Sequence, residues 1–545
     1  MKIALAQLNF ILGDFEGNYR KISNAIGRAK SEKVHLICFS ELAVCGYPPR
    51  DFLEFDDFIQ RSNEIINRII RLSENIAIVI GAPSINPVPE GKDLYNSLYF
   101  IQDQEIKYIQ NKTLLPTYDI FDDYRYFEPN SSYEIVEFMG KRIALTICED
   151  IWNIDNENPL YTVNPVEELW KFNPDLLINA SASPFDYQHM EERLEVIQKN
   201  IKRYPIPIFY VNQVGAHTDL IFDGGSLVVS PNVHVFDRMK LFEEDFRTYE
   251  LEEVMRGRKC PCPTFDPIEK IHDALLLGIK DYFKKSGFKR AILGLSGGID
   301  SALTAVLAAK ALGAENVLGV IMPSPYSSEH SVTDAISLAE KTGISYYTLS
   351  ITDLYNQVNE QLRPLFDGKK ADVTEENIQP RLRMIYLMAI SNKLGYILLN
   401  TTNKSEMAVG YGTLYGDLAG GLSVLADVYK TQVFELSKYI NREREIIPWN
   451  IITKPPSAEL RPNQKDSDSL PPYEVLDSIL YQYIELRLGP AEIIANGEDP
   501  TIVNRALKLV NINEFKRYQT APVLRVSPKA FGMGRRLPIV GRYLW

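Results

Sequence analysis

Residues 291–301 read AILGLSGGIDS and run directly into ALTAVLAAKALG. An apolar, strand-like run ends at Leu295, the chain turns through Ser296, Gly297 and Gly298, and an Ala/Leu-rich helix begins near Asp300 and Ser301. The first N–H groups of a helix have no partner inside it and carry partial positive charge, so a small glycine-rich turn ahead of one suits phosphate. The loop has no G-x-x-x-x-G-K-[ST], so it lacks the lysine that would hold β- and γ-phosphates, and Gly294, Gly297 and Gly298 do not fit G-x-G-x-x-G. Asp300 instead brings a carboxylate against the phosphate loop, an arrangement that is costly without a cation.

The pattern around the loop places it in a sheet. An amphipathic helix starts near Ile268, and beyond the loop strand-like runs at 317–321, 345–349 and 396–400 alternate with helical patterns at 332–341 and 377–393. Such alternation predicts a doubly wound parallel sheet with ligands at the carboxyl ends of its strands, where the 296–301 turn falls. The first half also alternates, with strand-like runs at 3–7, 35–39, 77–81, 98–101, 143–147, 176–178, 208–211 and 227–229 and helical patterns at 18–29, 58–72 and 190–203. It too reads as an α/β layered domain. An acidic, irregular passage ending in Pro261, Pro263 and Pro267 reads as a connector, giving domains at 1–245 and 266–545 joined by a linker at 246–265. The polar stretch 454–472 is expected to be a functional loop.

A chain of 545 residues is too long for one ordinary core. The formal charge of −12 argues against a nucleic-acid or anionic-membrane surface, so any anionic substrate must meet local Lys and Arg. MKIALAQLNFILGDFEGN is broken by Gln7, Asn9 and Asp14 and reads as a first strand rather than a signal peptide, and no window is apolar enough for a membrane span. Five cysteines, an odd number, do not make a disulfide framework, and a cytoplasmic protein is expected. Cys260 and Cys262 are not spaced as C-x-x-C and read as a linker feature.

Three polar residues follow apolar runs in the first half: Glu41 ends HLICFSE, Lys112 follows KYIQN, and Cys148 ends RIALTIC. Taken singly, these are two solvated charges and a buried small side chain. Together they suit attack on an amide carbonyl: a thiolate whose pKa an ammonium lowers, and a carboxylate that takes the thiol proton and returns it to the leaving amine. A Cys–His pair is the rival, but the nearest histidine along the chain is the distant His189.

These motifs carry resemblances. Residues 296–301, SGGIDS, resemble the phosphate loop of the ATP pyrophosphatases, which cut ATP between its α- and β-phosphates. Residues 40–47 (SELAVCGY), 111–118 (NKTLLPTY) and 147–150 (ICED) resemble the carbon–nitrogen hydrolase, or nitrilase, family. That resemblance implies a four-layer αββα sandwich, with Glu41 as general base, Lys112 as electrostatic partner of the tetrahedral intermediate, Cys148 as nucleophile and Glu128 as a second, supporting acid. Residues 179–185, NASASPF, resemble a segment of the glutaminase members, which implies that Tyr118 and Ser183 contact the α-amino and α-carboxylate groups of glutamine. His189 stands where a further basic contact is expected.

Segments 372–379 (DVTEENIQ), 381–384 (RLRM), 401–406 (TTNKSE), 414–417 (LYGD), 454–460 (KPPSAEL) and 514–518 (EFKRY) resemble the NAD synthetases. The resemblance implies ATP contacts from Gly294, Leu295, Ser296, Gly297, Gly298, Ile299, Asp300, Ser301, Thr401, Lys430 and Ser457. It implies magnesium on Asp300 and Glu406, and deamido-NAD contacts from Asn377, Arg381, Glu406, Asp417 and Lys516. Leu414 departs from a lysine found in ammonia-dependent, single-domain members. The expected activity is an amide-forming ligase that takes ammonia from L-glutamine, activates deamido-NAD with ATP and yields NAD, AMP and pyrophosphate. A homo-oligomer, often an octamer, and an internal ammonia tunnel are family expectations. The rivals are another glutamine-fed adenylating ligase, such as one acting on a purine nucleotide, and a regulatory nucleotide-binding protein with dead sites.

Overall fold

The computed structural model describes residues 1–154, 160–257, 265–462 and 464–543, so Cys260 and Cys262 lie outside the described residues. The chain divides into two compact units, Met1–Phe265 and Asp266–Trp545. No described helix is long and apolar enough to cross a membrane.

The first unit is built on two six-stranded sheets. One runs in the order Asp245–Glu250, Lys2–Gln7, Leu36–Cys38, Ala77–Ile85, Leu94–Gln102, Glu105–Asn111. The other runs Val235–Arg238, Leu227–Val229, Ile208–Asn212, Leu176–Ser181, Lys141–Ile147, Val136–Phe138. Strand side chains alternate between faces, and both faces of each central strand are apolar here, so each sheet must be covered twice. Ile3, Leu5, Leu36 and Val79 from the first sheet share one core with Ile143, Leu145, Ile147 and Ile178 from the second. Ala4, Ile37 and Ile78, on the opposite face of the first sheet, pack under Ile22, Ile26, Ile65 and Ile69 of the helices Phe15–Ser31 and Asp56–Ile70. Ala144, Leu177 and Tyr210 do the same beneath Val166, Leu169, Ile197 and Ile201. The layers therefore read helix, sheet, sheet, helix.

One boundary differs from the sequence reading. Residues 246–250, expected within the connector, belong to the strand Asp245–Glu250, which forms an antiparallel edge along Lys2–Gln7, and the helix Leu251–Arg256 follows it. Tyr249, Leu251 and Val254 are buried there, which explains why a segment of irregular composition is held in the fold.

The second unit carries a five-stranded, wholly parallel sheet in the order Ser345–Thr348, Val317–Ile321, Ala291–Gly294, Ile397–Asn400, Leu422–Ser423. Strand Ala291–Gly294 is central, and the chain winds outward on both sides of it. Its carboxyl end is therefore a topological switch point, where a crevice opens in such sheets. The helix Ile299–Leu312 packs against Pro267–Ser286 and Lys430–Ile440, while Ile378, Leu382 and Leu387 of Val373–Leu394 meet Ile292, Leu318 and Leu398.

Candidate active sites

In the first unit Glu41, Lys112 and Cys148 meet at the ends of three strands, each buried to at least nine-tenths. Glu41 reaches the centre because Gly81 has no side chain: a Cβ there would lie 2.3 Å from the Leu42 nitrogen and 2.8 Å from the Glu41 carbonyl carbon. Lys112 Nζ donates to Glu41 Oε1 at 2.8 Å and to Asp123 Oδ2 at 2.6 Å. Asn96 Nδ2 also donates to Glu41 Oε1, at 2.7 Å, and the Ala182 N–H donates to Oε2 at 3.0 Å.

Cys148 ends the strand Lys141–Ile147 with φ of 43°, a left-handed conformation that non-glycine residues adopt at a cost and that turns the side chain sharply off the strand. Asp150 fixes that turn. Its Oδ2 accepts from the Ile147 N–H at 3.0 Å, while Oδ1 accepts from the Thr113 and Leu114 N–H groups at 3.0 and 2.9 Å. One carboxylate thus ties the Cys148 turn to the segment bearing Lys112. Burial pushes the Asp150 carboxyl up to about 7 against these three donors.

The electrostatics revise the sequence expectation of a thiolate lowered by ammonium. Burial pushes the Cys148 thiol well above its ordinary range, the Glu41 charge pushes the same way, and Lys112 offsets only part of this. Burial opposes the charge on Lys112, but Asp123 and Glu41 outweigh it and hold the ammonium. With two carboxylates on one ammonium, the resting nucleophile is a thiol.

Glu128 is a correction. Its carboxylate accepts from the Lys92 N–H at 3.0 Å, and its place beside Lys112 is taken by Asp123. The short helix Asp123–Tyr126 turns Asp123 inward and lets the chain emerge toward the Gly91–Lys92 turn by residue 128. Tyr118 lies in the field of Cys148, and Ser183 and His189 hold each other. Ser183 Oγ lies 3.0 Å from His189 Nε2 and 3.4 Å from Arg193 Nη2, and the His189 ring stacks on Trp152. The Tyr118 hydroxyl donates to Glu149 Oε1 at 2.9 Å. Sequence reasoning missed Asn96, Asp123, Glu149 and Arg193; only Glu149, adjacent to Cys148, carried a positional signal.

In the second unit a cavity of about 590 Å³ opens at the switch point, a volume that suits a nucleotide. Gly294, Leu295, Ser296, Gly298, Ile299, Asp300 and Ser301 line it, with Thr401, Glu406, Asp417, Lys430 and Ser457. The phosphate loop is stapled to itself: Ser296 and Ser301 hydroxyls lie 3.0 Å apart, and the Gly298 N–H donates to Ser296 Oγ at 3.1 Å. Gly297 has φ of 77°, and a Cβ on it would sit 2.2 Å from the Ser331 carbonyl oxygen.

Lys430 Nζ donates to Asp300 Oδ2 at 2.5 Å and lies 3.4 Å from Glu406 Oε1, while Asn403 Nδ2 donates to Asp300 Oδ1 at 2.9 Å. Burial opposes the Lys430 charge, but Asp300 and Glu406 outweigh it. One ammonium does not satisfy both acids: burial pushes the Glu406 carboxyl up to about 8, Lys430 counters, and Asp300 adds to the rise. These hard oxygen donors beside a phosphate loop fit magnesium.

Asn377, Arg381 and Lys516 are not among the cavity's lining residues and gather instead on the 410–414 loop. Asn377 Oδ1 accepts from Thr413, Arg381 Nε donates to the Leu414 carbonyl at 3.2 Å, and Lys516 Nζ donates to the Gly410 and Gly412 carbonyls at 2.7 and 2.9 Å. Arg383 points into the cavity with Nε donating to the Met322 carbonyl at 3.0 Å, and burial lowers its pKa to about 10. Residues 454–461 line the cavity, where Glu459 accepts from the Ser328 and Ser331 hydroxyls at 2.7 and 2.8 Å. In the tail, Arg535 is engaged by Glu514 at 2.7 Å.

Residues 2–258 match the carbon-nitrogen hydrolase family and residues 271–520 the NAD synthase family. Fold, sites and matches together define a carbon–nitrogen hydrolase joined in one chain to an NAD synthase. A glutamine-dependent NAD(+) synthetase of Synechocystis sp. is 45% identical, over 98% of this chain and 98% of its own. One from Thermotoga maritima is 39% identical over 100% of this chain and 99% of its own. The solved glutamine-dependent NAD+ synthetase of Acinetobacter baumannii, in complex with ADP, is 38% identical with a TM-score of 0.78, covering 99% of this chain and 98% of that one. The chain belongs to the glutamine-dependent NAD(+) synthetase family.

Proposed function

We propose that the protein converts deamido-NAD, ATP, L-glutamine and water into NAD, AMP, pyrophosphate and glutamate. The observation that carries this reading is the pairing, in one chain, of a buried Glu41–Lys112–Cys148 cluster with a nucleotide-sized cavity over a phosphate loop that has no lysine.

In the first unit Glu41 takes the Cys148 proton as sulfur attacks the glutamine amide carbon. Lys112 steadies the oxyanion, and collapse expels ammonia with the proton returned from Glu41. Water then releases glutamate from the thioester. In the second unit a carboxylate oxygen of deamido-NAD attacks the α-phosphorus of ATP and pyrophosphate leaves. Ammonia attacks the resulting mixed anhydride at the acyl carbon, AMP departs, and the nitrogen loses a proton. The loop 296–301 and Lys430 hold the phosphates, Thr401 and Ser457 complete the ATP site, and Asn377, Arg381, Glu406, Asp417 and Lys516 serve deamido-NAD. Asp300 and Glu406 would hold magnesium, which supplies charge neutralisation at the phosphates when bound. We also place the enzyme in the cytoplasm as a homo-oligomer, with an octamer expected from the family resemblance.

Incubation with deamido-NAD, ATP, magnesium and either glutamine or ammonium should yield NAD and one AMP per NAD. ADP in place of AMP would contradict the pyrophosphatase reading.

A further inference from the structure

Asp477 is not among the residues that line the nucleotide cavity; it lies on the helix Tyr473–Ile484 and is buried. Leu476, Ile479 and Leu480 of that helix share one core with Met407, Ala408, Val503 and Leu507, so the backbone that carries Asp477 is a fixed platform. A buried carboxylate needs partners for both of its oxygens. Oδ1 accepts from the Ser405 hydroxyl, and Oδ2 accepts from the Thr431 N–H at 2.9 Å. The Ser405 oxygen in turn accepts from the Lys430 N–H at 2.9 Å.

These contacts stand directly behind the charged cluster of the cavity. Ser405 precedes Glu406 and Thr431 follows Lys430 in sequence, while Lys430 Nζ reaches Asp300 and Glu406 in front. Lys430 and Thr431 are also the first two residues of the helix Lys430–Ile440, and the leading N–H groups of a helix have no partner inside it. Ser405 and Asp477 supply those partners, with the carboxylate at the positive end of the helix. The segment that bears Glu406 and the helix that bears Lys430 are thereby joined through one side chain. A second tie holds the same segment: Lys404 Nζ donates to Glu485 Oε1, just past the end of the platform helix, at 2.7 Å and lies 3.0 Å from Asp427 Oδ1. A lysine ammonium on its flexible stem is placed only as well as its backbone is, so the start of the helix Lys430–Ile440 decides where the charge meets a phosphate.

We propose that Asp477, acting through Ser405, is a positioning residue for ATP: it fixes the start of the helix Lys430–Ile440 against the 401–406 segment and so holds Lys430 where the phosphates bind. This rests on the ATP-site reading above.

The test is calorimetric binding of magnesium–ATP to the full chain, with neither deamido-NAD nor a nitrogen source present, alongside the KM for ATP in ammonium-driven synthesis. Asp477→Ala should weaken ATP binding by about tenfold or more, and Ser405→Ala, which leaves Asp477 on Thr431, by about fivefold. The KM for ATP should rise in step, with kcat at saturating ATP kept to within about threefold. In Asp477→Asn the amide oxygen can still accept from Thr431 and the amide N–H can donate to Ser405, so most of the lost affinity should return. Because the two residues form one link, the double variant should bind ATP to within about twofold of Asp477→Ala alone. Wild-type affinity in the Ser405→Ala and Asp477→Ala proteins, whatever their melting temperatures, assigns the pair to folding alone and overturns the proposal. So do losses that add fully in the double variant, or a fall in kcat with ATP affinity unchanged. Should Asp477→Ala fail to fold, Ser405→Ala and Asp477→Asn decide by the same affinities. A wild-type protein that binds no ATP removes the ATP-site reading and the positioning role with it.

Discussion

Glu41 raises the pKa of Cys148 by its charge and is also the base that must remove the thiol proton. These two effects can be separated. Glu41→Gln removes the negative charge, so thiolate forms at lower pH, yet it leaves no base for the catalysed step. Alkylation of the wild-type thiol by iodoacetamide should therefore still be rising at pH 9, while the variant's profile shifts to lower pH. Glutaminase turnover of the same variant should fall about 1,000-fold, the scale of a lost general base. A wild-type alkylation rate already level at pH 7 would show a resting thiolate and contradict this. Gly297→Ala is the residue-scale test of the other unit, because φ of 77° and the Ser331 oxygen both oppose a side chain. The expected result is a KM for ATP raised by about tenfold or more in ammonium-driven synthesis, as the N–H groups of the phosphate loop are displaced.

Elements bring these residues together. The strands at 3–7, 77–81, 143–147 and 317–321 were legible because apolar runs between helical patterns admit few other readings. The edge strand Asp245–Glu250 was not, since its residues are half-polar and its identity comes from pairing with Lys2–Gln7, more than two hundred residues away. Glu41, Lys112 and Cys148 could be singled out as strand-end polar residues, but Asp123 could not be told from Asp122, because only the turn Asp123–Tyr126 decides which one faces Lys112. Arg383 likewise reads as a helix-face charge until the helix Val373–Leu394 is set against the sheet. Asp150 is the element-scale link, joining the Cys148 turn to the Lys112 segment through three backbone donors. Asp150→Asn puts an amide N–H₂ where an acceptor is needed and should destabilise the first unit by about 2–3 kcal/mol. Thermal melting would register this as a transition lowered by roughly 5 °C or more; an unchanged transition would mean the link carries no stability.

At the scale of the whole molecule, two chemistries that rarely need each other are carried by one chain. A glutaminase alone would release ammonia to no purpose, and an adenylating site alone could draw ammonium from solution. Neither cluster by itself identifies the substrate: the phosphate loop is common to enzymes that activate different acids, and Cys–Glu–Lys chemistry is common to many amidases. The segments at 372–384, 401–406, 454–460 and 514–518 are what liken the second unit to the NAD synthases, and the structure gathers Asn377, Arg381 and Lys516 around the 410–414 loop although they are far apart in sequence. The division of labour between the units is the central claim, and Cys148→Ala tests it most directly. NAD synthesis should be measured with deamido-NAD, magnesium and ATP, once with glutamine and once with ammonium. The account predicts that the variant loses glutamine-driven synthesis and keeps the ammonium-driven rate of the unmodified protein; equal loss with both nitrogen sources would contradict it.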